Sequence, residues 1–223
     1  LLDRYLLDND RIARKETPEP RDWQRITDIR PPRAYSLAFE RWKRTLGQSR
    51  FPVLHEASCA GRFVTGLGAE GVFEVNIRLH HTYGVPLVPG SGVKGALRAY
   101  LEGLGSREEA AFLFGQPDSA GYAQVHDGWW IPGSAGPAGP GGLALDVISV
   151  HHPDYYAGRP DSSPTDFDQP IPVHFLTAQG KFLFAVSAPS EEWRSFVAKL
   201  LRDTLGSGGL GAKKASGYGR FSG

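Results

Sequence analysis

Hydrophobic and polar positions change period several times along the chain. Across residues 72–80, Phe73, Val75, Ile77 and Leu79 alternate with Glu74, Asn76, Arg78 and His80, the period of two expected of a half-buried strand. Three segments switch to a helical period. Leu37, Phe39, Trp42 and Leu46 make an imperfect amphipathic helix over 34–46, preceded by Pro31-Pro32 and ended by Gly47. Val93, Leu97, Tyr100 and Leu101 face one way on a helix from about 91 to 101, with Ser91 as its cap. Trp193, Phe196, Val197, Leu200 and Leu201 form the buried stripe of a helix that starts at Ser190, carries Glu191 and Glu192 in its first turn, and ends near Gly206.

Shorter apolar runs predict a small helix or turn at 108–114, a strand within 122–131 and a buried strand at 143–150. Residues 171–177 and 181–187 flank Ala178-Gln179-Gly180 and read as a hairpin, and a last strand falls around 218–221. Strand, helix, several strands, helix and terminal strand is the order of an α+β domain of ferredoxin-like or RRM-like type. Residues 1–50, mixed in charge and broken by Pro18 and Pro20, read as an N-terminal helical extension to a domain over 51–223. The segment GSAGPAGPGG and the proline- and aspartate-rich 153–170 predict irregular insertions near 132–142 and 153–170.

Composition narrows the classes. A chain of 223 residues has room for one elaborated domain. Its lone cysteine, Cys59, excludes an internal disulfide and fits a reducing cytosol. With neither a secretory leader nor a membrane-spanning apolar run, the expectation is a soluble cytoplasmic protein without a membrane partner. The absence of methionine, position 1 included, suggests that the sequence starts inside a longer chain. Net charge is only +1, so no overall field draws in nucleic acid, yet Lys213, Lys214 and Arg220 stand in an acid-free tail over 206–223.

Two stretches carry the candidate chemistry. PLVPGSGVKGALRAY at 86–100 places Lys94 and Arg98 four residues apart, where like charges repel unless an anion is near. Gly92 and Gly95 weaken its first turn by roughly 1 kcal/mol each relative to alanine and leave backbone N–H groups open to close approach. In SGGLGAKKASGYGRF at 207–221, glycines surround two lysines beside exposed N–H groups, a combination suited to phosphate oxygens. Tyr218 either stacks on a base or packs its strand onto a helix. This is not a nucleotide-triphosphate loop, because Ala212 separates Gly211 from Lys213 and no Ser or Thr follows the lysine in the required place.

The sequence YGVPLVPGSGVKGALR at 83–98, preceded by GLG at 66–68 and followed by GGLGAKKASGYGRF at 208–221, resembles the RAMP superfamily of CRISPR effector proteins. Within it, the resemblance is to the sixth-subunit family of the type III-B (Cmr) complex. That resemblance implies a ferredoxin-like RAMP domain near the 3′ end of CRISPR RNA (crRNA) in a ribonucleoprotein serving antiviral defence. Partners would be crRNA and target RNA, the repeated backbone subunit, the small helical subunit and the other terminal RAMP subunit. RNA contacts would fall on Ser91, Lys94 and Arg98, and on Gly209, Gly211, Lys213, Lys214, Gly217 and Tyr218. Gly92 departs from the family pattern, which has a second serine there. The expected role needs no catalytic residue, metal or cofactor.

Two other readings compete. His80 or His81 with Tyr83 and Lys94 would suit a metal-independent endoribonuclease, although adjacent histidines in a strand point oppositely. His151, His152 and Asp154, with Asp161, Asp166 and Asp168 downstream, have no fixed metal-ligand spacing. A protein-only scaffold would use Trp42, Trp129 and Trp130 as interface anchors.

Overall fold

The strand register divides this sequence between a six-stranded main sheet and a two-stranded insertion. In a computed structural model, which describes residues 20–68, 76–136, 138–150, 155, 158, 163, 165 and 171–223, two helices come first: α1 at Pro20–Thr27 and α2 at Arg33–Gly47. Strand β1 (Pro52–Cys59) leads to the short β2 (Leu87–Val88), then α3 (Gly90–Gly103) and α4 (Arg107–Phe114). Next come β3 (Gln124–Val125), β4 (Gly128–Trp130), β5 (Leu143–Val150), β6 (Ile171–Ala178) and β7 (Lys181–Ser187). Helix α5 (Glu191–Asp203) runs into a π-turn at Thr204–Gly208, and β8 (Phe221–Ser222) closes the chain.

The main sheet has six strands in the order β2-β4-β7-β1-β8, with β3 also pairing β7. Every pairing is antiparallel, and the longest runs from Pro52 opposite Ser187 to Ser58 opposite Lys181. Removing insertions leaves β1-α3-β4-β7-α5-β8 in sheet order β8-β1-β7-β4, the ferredoxin-like βαββαβ arrangement. The β5–β6 pair forms a separate two-stranded sheet, inserted between β4 and β7.

Helix-facing residues of the sheet fill the core: β7 buries Phe182, Phe184 and Val186 against Val93, Leu97 and Leu101 of α3 and Val197, Leu200 and Leu201 of α5. Such side chains each stabilise by about 1.5–3 kcal/mol when fully buried. Helix α2 joins the same core through Tyr35, whose hydroxyl donates to the Trp130 carbonyl. Among the described residues no helix is long and apolar enough to cross a membrane.

Several expected elements are redrawn. Segments 171–177 and 181–187 do not pair with each other: β6 pairs β5, whereas β7 enters the main sheet. Gly180, at φ +105°, and Gln179 make a corner pinned by Trp130, whose indole N–H donates to the Gln179 carbonyl at 2.9 Å. Residues 72–75 of the alternating segment lie outside the described set, and 76–80 hold only an isolated bridge from Leu79 to Pro86. The strand within 122–131 splits into β3 and β4, and the last strand is shorter and later than 218–221. The insertion at 153–170 lies almost entirely outside the described residues.

Candidate nucleic-acid interface

The tail owes its path to glycines that packing demands. After the π-turn, closed by the Gly209 N–H donating to the Thr204 carbonyl at 2.7 Å, Gly209 and Gly211 turn at φ +70° and +77°. A Cβ on Gly211 would collide with the Val64 carbonyl, and one on Gly219, at φ +75°, with that of Leu210. Both glycines therefore allow the tail to lie flat against 62–64, where Ala212 donates to Val64 at 2.9 Å and Gly219 to Arg62 at 2.8 Å. Gly209 is buried.

Between these anchors, 213–218 stand out as a loop. Lys213 takes the left-handed conformation at φ 58°, a 3₁₀ turn spans Lys214–Ser216, and Gly217 follows at φ +88° with open space where a side chain would be. Lys214 is exposed, and half-buried Lys213 holds its Nζ 6.0 Å from the Phe175 ring centroid. Arg220 is spent on the fold, donating to the Gly206 and Ser207 carbonyls of the π-turn.

The loop rims an open polar cleft of about 200 Å³ lined by Arg62, Asp146, Ser216, Gly217 and Tyr218. Tyr218 donates to Asp146 Oδ2 at 2.7 Å, and Arg62 Nη1 sits 3.1 Å from the same oxygen while also donating to the Leu145 carbonyl. Burial first, then the hydrogen bond and charge of Asp146, push the Tyr218 phenol up to about 12. It is therefore a neutral donor at physiological pH. Its ring centroid lies 6.0 Å from that of Phe175. At this rim the Tyr218 proton and the N–H groups of 216–218 are spent within the fold, so hydrogen bonds to phosphate or ribose oxygens come from the remaining Arg62 N–H groups and the Ser216 hydroxyl.

The first motif is built differently from the sequence expectation. Helix α3 begins at Gly90 with Pro89 as N-cap, and Ser91 lies inside the helix, exposed and without a capping bond. The first N–H is satisfied from another element, by Asp127 Oδ1 at 2.6 Å from the Gly90 nitrogen. Gly90 has no room for a side chain beside the backbone of 125–127, whereas Gly92 and Gly95 face open space. Lys94 is exposed and makes no ion pair with a described residue. Arg98 does not act as a second outward cation: it bonds Glu102 Oε1 at 2.8 Å and the Gly115 carbonyl at 2.8 Å. The anion that relieves the Lys94–Arg98 repulsion is thus an internal one, Glu102.

Backbone bonds connect the two motif regions. Segment 62–66 meets the tail on one side and, through Arg78 N–H to the Thr65 carbonyl at 2.8 Å, segment 76–80 on the other. From there Leu87 N–H reaches the Arg78 carbonyl at 3.2 Å, just before α3 begins. At the far end of α3, Gly208 packs against the Tyr100 ring. Arg62, Asp146 and exposed Arg78 were missed in the sequence reading. Asp146 had a signal, being the one acid in the apolar run LALDVISV; Arg62 and Arg78 had only their nearness to the GLG at 66–68.

The histidine and metal readings gain no geometry. His80 is wedged between Tyr83 and Trp129, with ring centroids 4.7 Å from each, and burial holds its pKa below the ordinary value. Among the described residues no three His, Cys, Asp or Glu side chains converge to hold a metal, and the acids and histidines of 151–154, 161, 166 and 168 lie outside that set. Trp42 and Trp129 stack at 4.7 Å and 8°, joining α2 to the sheet, while Trp130 is fully buried.

Residues 57–222 match the RAMP superfamily, and the chain belongs to it. At the level of individual proteins, it is 28% identical to the CRISPR system Cmr subunit Cmr6 of Pyrococcus furiosus over 72% of its own length, and spans 64% of that relative. A chain in the cryo-EM structure of the type III-B Cmr-beta bound to cognate target RNA shares its fold, with TM-score 0.68, 23% identity, 85% of this chain and 64% of that one covered. The crystal structure of Cmr6 from P. furiosus aligns with TM-score 0.48 at 26% identity, covering 76% of this chain and 96% of that one.

Proposed function

We propose that this chain is a noncatalytic RNA-binding and assembly subunit of a type III-B CRISPR effector ribonucleoprotein. It grips the crRNA backbone near its 3′ end and supports recognition of target RNA. Its neighbours in the particle are the repeated backbone RAMP subunit, the small helical subunit and the other terminal RAMP subunit. The observation that carries the reading is the loop at 213–218, a cationic projection anchored on both sides by glycines and rimming an open cleft with Arg62 in its wall. Lys94, with open backbone at Gly92 and Gly95, adds a second outward cation on α3. Likeness to Cmr6 and to a chain of an RNA-bound Cmr particle supports the same assignment.

Within this reading Lys213 and Lys214 supply charge, Gly217 and Ser91 lie where a sugar-phosphate chain approaches, and Gly209 and Gly211 set the loop's path. Tyr218 and Arg62 hold the cleft wall. Arg98 acts by fixing α3 to the end of α4. The test is a salt titration of RNA retention by the purified chain carrying Lys213→Ala and Lys214→Ala. Each phosphate contact on a single strand contributes about 0.7 to the slope of log affinity against log salt, so losing two flattens it by about 1.4. An unchanged slope would remove the tail from the interface.

A further inference from the structure

Helix α5 was expected to bury Trp193 and Phe196, yet Phe196 is 38% exposed and Trp193 is only half-buried. They belong to an aromatic surface cluster built from three separate segments. Phe112 of α4 stacks on Tyr122 at 4.8 Å and 24° and meets Trp193 at 5.0 Å, and Trp193 meets Phe196 edge-on at 5.5 Å. Tyr122 is 66% exposed and Phe112 38%. The cluster is held in place by backbone: Tyr122 and Ala123 donate to the Phe112 and Leu113 carbonyls at 3.1 and 2.9 Å. Neighbouring aromatics exposed together on a rigid support mark an interaction surface, because leaving them in water forfeits the burial that each would otherwise contribute.

Charge decides what covers it. Glu108 and Glu109 stand four and three residues before Phe112 on α4, and Glu192 stands four before Phe196 on α5, so each shares a helix face with its aromatic. All three acids are exposed and make no ion pair with a described residue. Of the nearby cations, Arg194 pairs with Glu191 at 3.1 Å and Lys199 with Asp203, and exposed Arg107 beside Glu108 offsets one of the three acids, leaving the rim acidic. An acid-rimmed aromatic patch repels a polynucleotide and favours a basic protein surface.

We infer that the Phe112–Tyr122–Trp193–Phe196 patch docks another protein of the same particle, through an apolar side chain flanked by Lys or Arg. This rests on the assembly role proposed above, but its test is separate from that of the RNA-binding loop. The particle is purified from cells through a tag on the full chain, with p-benzoylphenylalanine at position 122 or 196. Illumination should cross-link both positions to a Lys- or Arg-bearing segment of one co-purified protein. The pair Tyr122→Ser and Phe196→Ser, and separately the charge reversal Glu108→Lys, Glu109→Lys and Glu192→Lys, should each lower that protein's share of the particle at least tenfold. RNA retention by the isolated chain should stay unchanged, and each variant should keep a cooperative thermal transition. Cross-links to RNA, cross-links only between copies of this chain, no cross-link, or an unaltered particle would each overturn the proposal. Loss of the RNA salt response in the lysine variants bears only on the loop, so either reading can fail while the other stands.

Discussion

The Tyr218 hydroxyl and the Arg62 guanidinium share one carboxylate oxygen of Asp146, bringing together residues from three distant stretches of chain. Hydrogen bonds to a charged partner contribute about 1.5–3 kcal/mol, and part-exposure places this one at the lower end. Tyr218→Phe should therefore cost about 1.5 kcal/mol in urea unfolding while keeping the ring on Phe175. If the ring contributes base stacking, RNA affinity of this variant stays near that of the parent, whereas Tyr218→Ala loses it; equal losses would assign the role to the hydroxyl.

At the same scale, burial lowers the pKa of His55, His80 and His126; Arg202 adds to it at His55 and His81 at His80, while Asp127 opposes it at His80 and His126. Folding prefers these rings neutral. Their stability is complete above the ordinary histidine value of about 6.5 and is lost as pH falls through the lower folded values. The urea midpoint should be flat from about pH 8 to 7 and fall as the pH drops below about 6.5. His80→Gln should shallow that fall, and an equally steep fall would exclude His80 as a source.

Glycines in one helix separate fold from site at the scale of elements. Gly90→Ala would bring a Cβ to 2.8 Å from the His126 carbonyl carbon and 2.9 Å from the Val125 oxygen. Backbone cannot easily give way, so the cost is about 1–3 kcal/mol. Gly92→Ala and Gly95→Ala meet nothing within 4 Å and should each stabilise by up to about 1 kcal/mol. If RNA approaches the α3 backbone there, the same two variants lose RNA affinity while melting higher; unchanged affinity would leave these glycines without a role in binding.

The sequence pattern located α2, α3 and α5 by an apolar period of their own and α4, β5 and β7 by a short apolar run, but it misassigned the partner of β6. A hairpin signal at 178–180 describes a turn, and a turn does not specify whether the following strand folds back or crosses into another sheet. That choice belongs to Trp130 and Gly142, whose bonds to Gln179 come from 49 and 37 residues away, by subtraction of residue numbers. The candidate site was legible to the same extent. Its glycine-lysine loop is local and was visible, whereas the Arg62–Asp146 wall exists only once the β5–β6 insertion has folded against the tail.

Across the molecule, the sequence invites a division at residue 50, yet the core runs through it. Trp23, Ile26, Tyr35, Phe39 and Leu46 of α1 and α2 are all buried, and Trp42 covers Trp129 of the main sheet. At about 1.5–3 kcal/mol for each fully buried side chain, the five contribute roughly 10 kcal/mol before chain entropy is counted. A domain's whole net stability is about 5–15 kcal/mol. A chain of residues 51–223 would lose that burial and the Tyr35 bond to Trp130 while exposing Trp129. We expect it to lack a cooperative thermal transition or to melt far below the 223-residue chain, with tryptophan emission shifted to the red. Adding back a peptide of residues 20–50 should partly restore the blue-shifted emission, since the aromatic stack it completes needs no covalent link. A truncated chain that melts as the parent does would make α1 and α2 an appendage and return the core to the ferredoxin-like sheet alone.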